Sequence, residues 1–265
     1  MRILFIGDIV GAIGREMLET YLPQLKTKYR PNVTIVNGEN AAHGRGITEK
    51  IYKTFMTQGV DMVTLGNHTY GQREVYDFLD QDIKMIRPAN YPDEAPGVGM
   101  KIIRYNQEKL AVINLQGRAF MQSIDCPFKK ADELIAEAEK EKANIFVDFH
   151  AETTSEKGAM GYYLDGRVSA VVGTHTHIQT ADERVLPGGT GFITDVGMTG
   201  HYDGILGINK DEVIHRFVTG LPVRHVVHEK GRGVLSGVFI ELNKEGHTKK
   251  MKRILINDDH PLIGH

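Results

Sequence analysis

The chain moves between two hydrophobic rhythms. Short, mostly apolar runs at residues 3–6, 33–36, 60–65, 145–149 and 168–172 read as buried strands, the first of them continuous enough for a central strand covered on both faces. Between them, apolar residues recur at helical spacing. Met17, Leu18, Tyr21, Leu22 and Leu25 give one face of a helix over 15–29, and Pro23 inside it predicts a kink or a break. Thr48 and Glu49 open a helix that runs to about residue 58 and ends at Gly59. Val75, Phe78 and Leu79 form the inner face of a third helix. Ala131, Leu134, Ile135 and Ala138 form that of a fourth over 129–142, and a short helix is expected over 211–218.

Other stretches read as hairpins or outer strands, and the tail alternates between apolar and polar positions, the signature of strands with one wet face. Residues 101–105 and 110–115 flank Asn106-Gln107-Glu108-Lys109 as a hairpin. Residues 223–228, 237–242 and 251–256 read as outer or edge strands of a second sheet, with a hairpin turn at 243–246. Short strands are expected at 83–86, near 184–186 and at 191–197, with a loop over 90–99. The first part is built of βα units, and the second mixes helices with hairpins. Two packed sheets with helices outside is the simplest layering of this α/β chain. There is no repeat, linker or low-complexity segment, so one domain over 1–265 is expected.

Composition narrows the class. At 41% hydrophobic and 25% charged over 265 residues, this is an ordinary globular protein with room for a sizeable core. The formal charge of −2 leaves no overall footprint for nucleic acid, although Lys249, Lys250, Lys252 and Arg253 make a local basic patch. The single cysteine, Cys126, excludes an internal disulfide and suits a reducing compartment. The first apolar run is too short for a signal peptide, and no stretch reaches the roughly 20 apolar residues of a membrane-spanning helix. A cytoplasmic protein without a membrane partner is expected.

The chemistry lies where the strands stop. The five runs end in Gly7-Asp8, in Asn37-Gly38-Glu39-Asn40, in Gly66-Asn67-His68, in His150-Ala151-Glu152 and in Gly173-Thr174-His175-Thr176-His177. The carboxyl edge of an open α/β sheet is where such folds place their chemistry. Each terminus alone has a plain reading: Asp8 is equally a cap or turn residue, and His175 and His177 read more readily as two loop histidines than as a ligand pair. Together, Asp8, Glu39, Asn40, Asn67, His68, His150, His175 and His177 are hard to explain as caps and turns. In an extended segment His175 and His177 point to the same side and aim at one point. Oxygen and nitrogen donors without a thiolate suit iron, manganese or zinc. Two such ions about 3.5–4 Å apart clamp the attacking and leaving oxygens of a displacement at phosphorus, with a bridging water as nucleophile.

These blocks resemble a known family. Gly7-Asp8, Gly66-Asn67-His68 and Gly173-Thr174-His175-Thr176-His177 look like the Gly-Asp, Gly-Asn-His and Gly-His-x-His motifs of calcineurin-like metallophosphoesterases. Asn37-Gly38-Glu39-Asn40-Ala41-Ala42, Asp148-Phe149-His150-Ala151-Glu152 and Thr194-Asp195-Val196-Gly197-Met198-Thr199-Gly200 are similar to the YmdB-like branch of bacterial phosphodiesterases. The resemblance implies a four-layer αββα sandwich, two mixed sheets flanked by helices. It implies Asp8, Glu39, Asn40 and His177 around one metal, Asn67, His150 and His175 around another, and Glu39 bridging. His68 is implied as the catalytic residue beside the scissile phosphate, a general acid or transition-state stabiliser. The implied cofactors are two divalent or mixed-valence ions, iron or manganese, with zinc as a further option. The implied reaction is hydrolysis of small phosphodiesters such as cyclic nucleotides through a metal-bridging hydroxide.

Three positions depart from the broader superfamily. Val10 stands where the Asp-x-His motif has its histidine, and Glu39 replaces the bridging aspartate; both changes are shared with the YmdB-like branch. Thr69 follows His68 where many relatives carry an acidic residue that orients the histidine, which leaves the partner of His68 unidentified. Two other functions stay open: a phosphomonoesterase on the same site, and a regulatory protein that binds a nucleotide or RNA and hydrolyses it only incidentally. The tail strands leave a homo-oligomer open. His43 and His201 are weaker candidates for substrate contact, and Arg118 for phosphate. His215, His225, His228, His247, His260 and His265 read as surface or packing residues. Asp148 orients His150 only if its strand bends, and Asp195 is equally a turn former or a support for the site.

Overall fold

Each of the five apolar runs contributes a strand, and the strands assemble into two sheets. The computed structural model describes residues 1–81 and 83–262, so His265 lies outside the described residues. In chain order come β1 (Arg2–Ile6), α1 (Gly11–Tyr29), β2 (Val33–Asn37), α2 (Glu49–Thr57), β3 (Met62–Thr64), α3 (Val75–Phe78) and β4 (Met85–Ile86). Then follow β5 (Met100–Tyr105), β6 (Glu108–Gln116), α4 (Pro127–Lys140), β7 (Asn144–His150), α5 (Thr154–Tyr163) and β8 (Ala170–Thr174). The remaining elements are β9 (Arg184–Val185), β10 (Gly191–Ile193), β11 (Gly200–His201), α6 (Lys210–Thr219), β12 (Gly233–Leu242) and β13 (Thr248–Ile256). One sheet has the order β11-β12-β1-β2-β3-β4 with β13 also on β12, and the other the order β5-β6-β7-β8-β10-β9. Both are mixed: β1 is parallel to β2 and antiparallel to β12, while β7 is parallel to β8 and β5 antiparallel to β6.

Side-chain alternation produces the layers. On β1, Ile3 and Phe5 pack between the sheets with Val112, Phe146 and Val172. The Phe5 and Phe146 rings lie 5.4 Å apart. Leu4 and Ile6 turn the other way, onto Leu18 and Leu22 of α1 and Phe55 of α2. On the far sheet, Ile113, Val147 and Val171 meet Ala131 and Ile135 of α4 and Met160 of α5. Three apolar layers thus separate four layers of backbone, the αββα sandwich expected. Because both faces of the central strands are covered, these strands are mostly apolar, and the polar residues inside them, such as Thr34, Asn114 and Asp148, are themselves buried. Removing one such ring, as in Phe5→Ala, costs about 3–5 kcal/mol. No helix among the described residues is long and apolar enough to cross a membrane.

The structure corrects several sequence expectations. α1 starts at Gly11 rather than residue 15 and runs through Pro23 without a break; Pro23 sits on the exposed side of the helix. The third helix is only four residues long. α5 was not foreseen, because Gly158 and Gly161 interrupt its apolar pattern. A Cβ on Gly161 would come within 2.5 Å of the Phe192 ring, so close packing requires the glycine. β12 and β13 belong to the first sheet, not the second. β12 lies beside β1 and is buried on both faces, with Leu235 and Phe239 on the helix side and Val238 and Ile240 between the sheets. Residues 223–228 form no strand, only an isolated bridge between Val227 and Ile208.

Candidate metal centre

The carboxyl ends of β1, β2, β3, β7 and β8 converge at the top of the two sheets. Gly66 lets them meet: a Cβ there would overlap both Glu39 Oε2 and His150 Nε2. Asn37 Oδ1 accepts the Glu39 amide at 3.1 Å, and Glu39 Oε2 accepts the His68 amide at 2.8 Å. The Thr69 hydroxyl donates to the Gly66 carbonyl at 2.7 Å and closes the turn that presents Asn67 and His68. Thr69 therefore shapes the turn rather than orienting His68. That orienting partner is Asn40, whose Oδ1 lies 2.9 Å from His68 Nδ1.

All eight predicted residues come together. His150 Nε2 lies 2.9 Å from Asn67 Oδ1, 2.9 Å from Glu39 Oε1 and 3.0 Å from His175 Nδ1. Donor atoms of Glu39, His150 and His175 all fall within 4.8 Å of one another. On the other side, Asn40 Nδ2 lies 3.1 Å from His177 Nε2. Asp8 Oδ2 accepts the His175 amide at 3.2 Å, and Asp8 Oδ1 lies 3.8 Å from His150 Nδ1. Asp8 Oδ1 and Glu39 Oε1 are buried yet find no hydrogen-bond donor among the described residues. For Glu39 Oε1 the 2.9 Å contact with His150 is short enough but off the line of a hydrogen bond. Orphaned carboxylate oxygens beside convergent ring nitrogens fit a cation.

The outer nitrogens of the histidines make the fit specific. His150 Nδ1 meets the Thr174 hydroxyl at 2.9 Å, and that hydroxyl donates to Asp148 Oδ1 at 2.6 Å. His177 Nδ1 meets the Leu206 carbonyl at 3.0 Å, and His175 Nε2 meets Glu152 Oε2 at 3.0 Å. Each ring thus places its N–H on an outward acceptor and turns the other nitrogen inward, the support that metal-binding histidines receive. Asp148 acts on His150 through Thr174, not by a bend in its own strand.

The two histidines after β8 converge for a different reason from the one expected. They are not extended: His175 has φ 99° and His177 φ 66°. Such backbone costs about 1–3 kcal/mol per residue and persists only where surroundings over-determine it. Asp195 supplies that constraint. Its Oδ2 accepts the Thr176 amide at 3.1 Å and the Thr176 hydroxyl at 2.7 Å, and its Oδ1 accepts the Gly197 amide at 2.8 Å. Lys157 of α5 pairs with the same carboxylate at 2.6 Å, both groups fully buried. Asp195 is therefore both turn former and support. Neither Lys157 nor Thr174 was singled out from sequence. The Thr153-x-x-Glu156 spacing that starts α5 was the available signal for the first.

Charge follows the geometry. Burial works against a proton on His150, but Glu39, Asp8 and Asp148 outweigh it and raise the ring to about 9. Burial also opposes charge on Glu39, yet His150 and His68 hold its carboxyl down at about 2. Burial, with His150 second, pushes His175 down to about 3. Burial raises Asp8 against the pull of His177 and His150. The proton that His150 holds thus sits among carboxylates at the place where a divalent cation fits.

A cavity of about 510 Å³ opens over the centre, with Glu39, Asn40, His68, His175 and His177 on its floor. Arg45 and His43 from the glycine loop stand on one wall, and Leu206, Ile208 and Val227 give an apolar wall. His225, expected to be a bland surface residue, also lines it. His201 does not; it packs on His228 with ring centres 4.8 Å apart. Val10, in the place of the superfamily histidine, is buried at the cavity edge.

Two facing mixed sheets whose strand ends gather carboxylates, carboxamides and imidazoles define a metallophosphoesterase fold. The chain belongs to the YmdB-like protein family, whose model matches residues 4–254. It is 59% identical over 263 residues to the 2′,3′-cyclic-nucleotide 2′-phosphodiesterase of Bacillus subtilis strain 168, covering 98% of each chain. The solved structure of a novel phosphatase from Mycoplasma pneumoniae matches with a TM-score of 0.91 and 35% identity, over 97% of this chain and 93% of that one. A hypothetical protein from Thermus thermophilus matches with a TM-score of 0.90 and 39% identity, over 97% of this chain and 99% of that one.

Proposed function

We propose that the protein is a metal-dependent phosphodiesterase of small diesters of the cyclic-nucleotide class, with residues 1–265 working as one metallophosphoesterase domain. The observation that best supports this is the trio His150, His175 and His177, each tied outward and turned inward onto carboxylate and carboxamide donors. Glu39, Asn67, His150 and His175 would hold one ion, and Asp8, Asn40 and His177 a second, with Glu39 shared. Iron, manganese or zinc suits these donors. When bound, the ions supply positive charge for the phosphate and lower the pKa of water.

The chain's own residues do the rest. Arg45 on the cavity wall pairs with a phosphate oxygen. Asn40 holds His68 by Nδ1, so Nε2 is the nitrogen left for substrate. Burial holds His68 below the ordinary imidazole value, and an arriving anionic phosphate draws a proton onto Nε2. His68 then gives that proton to the departing ribose oxygen. Leu206, Ile208 and Val227 offer the apolar wall against which a base rests. The B. subtilis relative is named for 2′,3′-cyclic nucleotides, and the same substrates are proposed here.

The test compares turnover of 2′,3′-cyclic AMP and p-nitrophenyl phosphate by metal-replete protein, with His68→Ala alongside. Preference for the diester, falling about 10²–10⁴-fold in the variant, supports the reading. Preference for the monoester would make the protein a phosphomonoesterase. Tight nucleotide binding without turnover would make it a binding protein.

A further inference from the structure

A second cavity of about 280 Å³ adjoins the first and shares His43, His225 and Val227 with it. It is smaller than the roughly 300–1,000 Å³ of a full ligand pocket, so it suits one group of a larger ligand rather than a second substrate. Its titratable lining is Arg15, His43, Arg224, His225, His228 and Glu229. Two permanent cations and three imidazoles thus face one carboxylate. Among the described residues Arg224 has no ion-pair partner. Arg15 is fixed by its donation to the Ala41 carbonyl, in the loop that also carries His43 and Arg45. A third guanidinium, Arg216 of α6, reaches His225 Nε2 at 3.4 Å from behind. The mechanism proposed above uses none of Arg15, Arg224 or His228.

We propose that this cavity receives a second phosphate group carried on the 5′ oxygen of the substrate. The inference rests on the phosphodiesterase reading and extends it to a substrate class. In a 2′,3′-cyclic nucleotide the cyclic phosphate and C5′ project from opposite faces of the ribose ring. With the cyclic phosphate beside Glu39 and His68, the 5′ oxygen on the other face of the ring can turn toward His43 and His225, which line both cavities. A 5′-phosphate there meets Arg224 and Arg15. Two sources carry that group: a 5′-phosphorylated mononucleotide, and an RNA strand that ends in a cyclic phosphate.

The experiment measures kcat/KM for 2′,3′-cyclic AMP, for its 5′-phosphate, and for a diadenosine dinucleotide ending in a 2′,3′-cyclic phosphate. The parent and Arg224→Gln are compared; Arg224 is exposed, so the change leaves folding intact. At least one of the two 5′-phosphate substrates should exceed plain 2′,3′-cyclic AMP by about tenfold, the effect of one charge-assisted hydrogen bond. Arg224→Gln should remove that gain and leave turnover of the plain substrate unchanged. Which substrate gains identifies the source. Equal values for all three, or a gain that survives the substitution, overturn the inference while the phosphodiesterase reading stands. If none is turned over, that reading fails, and binding decides this one. Adenosine 3′,5′-bisphosphate must then bind about tenfold tighter than adenosine 3′-phosphate and lose the advantage in Arg224→Gln, or the inference falls as well.

Discussion

Replacing Lys157 by methionine removes one half of a buried ion pair and leaves the Asp195 carboxylate in the interior. Lys157 Nζ lies 2.6 Å from Asp195 Oδ2, with side-chain exposures of 1% and 0%. Breaking such a pair from one side costs about 3–5 kcal/mol. Asp195 keeps three other donors, the Thr176 amide and hydroxyl and the Gly197 amide. The loss should therefore lie at the low end, about 3 kcal/mol. Adding Asp195→Asn removes the stranded charge and should restore about 2 kcal/mol, a strongly coupled pair. Urea unfolding with linear extrapolation measures both numbers. The same turn carries His175 and His177, so metal content should fall in the single variant. A loss below about 1 kcal/mol, typical of an unspecialised position, would refute the reasoning, as would a double variant no better than the single.

Other outcomes follow from the same geometry. Thr174→Val cuts the link from His150 to Asp148 and should weaken metal binding by about 10–100-fold with the fold retained, as read by competition with a chelating dye. Gly66→Ala drives a methyl into Glu39 Oε2 and His150 Nε2, so elemental analysis should find the metal lost; a full complement would contradict the packing argument. His150, raised to about 9, carries a proton at neutral pH that an incoming metal displaces. Metal affinity should therefore climb by up to about tenfold per pH unit and level off above the folded-state value; a flat profile from acid to neutral would refute this. By the same sign, metal-free protein holds a stabilising contribution from His150 below the ordinary 6.5, which is lost as pH rises through about 9. Urea midpoints of stripped protein across that window check it.

Much of this was legible in the sequence because both sheets are buried on both faces. Short, mostly apolar runs stand out, and so does the cluster of polar residues that ends each one. Asp8, Glu39, Asn67, His68, His150 and His175 are all announced this way. What stayed hidden depends on register and on backbone. His150 pairs with Thr174 across two parallel strands, and nothing in either strand states that alignment. The Leu206 carbonyl that anchors His177 is a backbone atom with no residue signature. Lys157 reads as a surface lysine until its partner, 38 positions along the chain, is placed beside it. The Thr-His-Thr-His segment has the composition of a strand, but Asp195 bends it into left-handed backbone. β12 alternates in a way that suits an edge strand. Its burial beside β1 is a matter of topology that local pattern does not contain.

The most direct test of the account joins metal content to turnover in one titration. Metal-stripped protein is refilled stepwise with manganese while bound metal and hydrolysis of 2′,3′-cyclic AMP are followed together, with Glu39→Ala in parallel. The account predicts that turnover is absent without metal, rises as the sites fill, and is lost with metal binding in the variant. Hydrolysis at the full rate by stripped protein, or by Glu39→Ala, would contradict it.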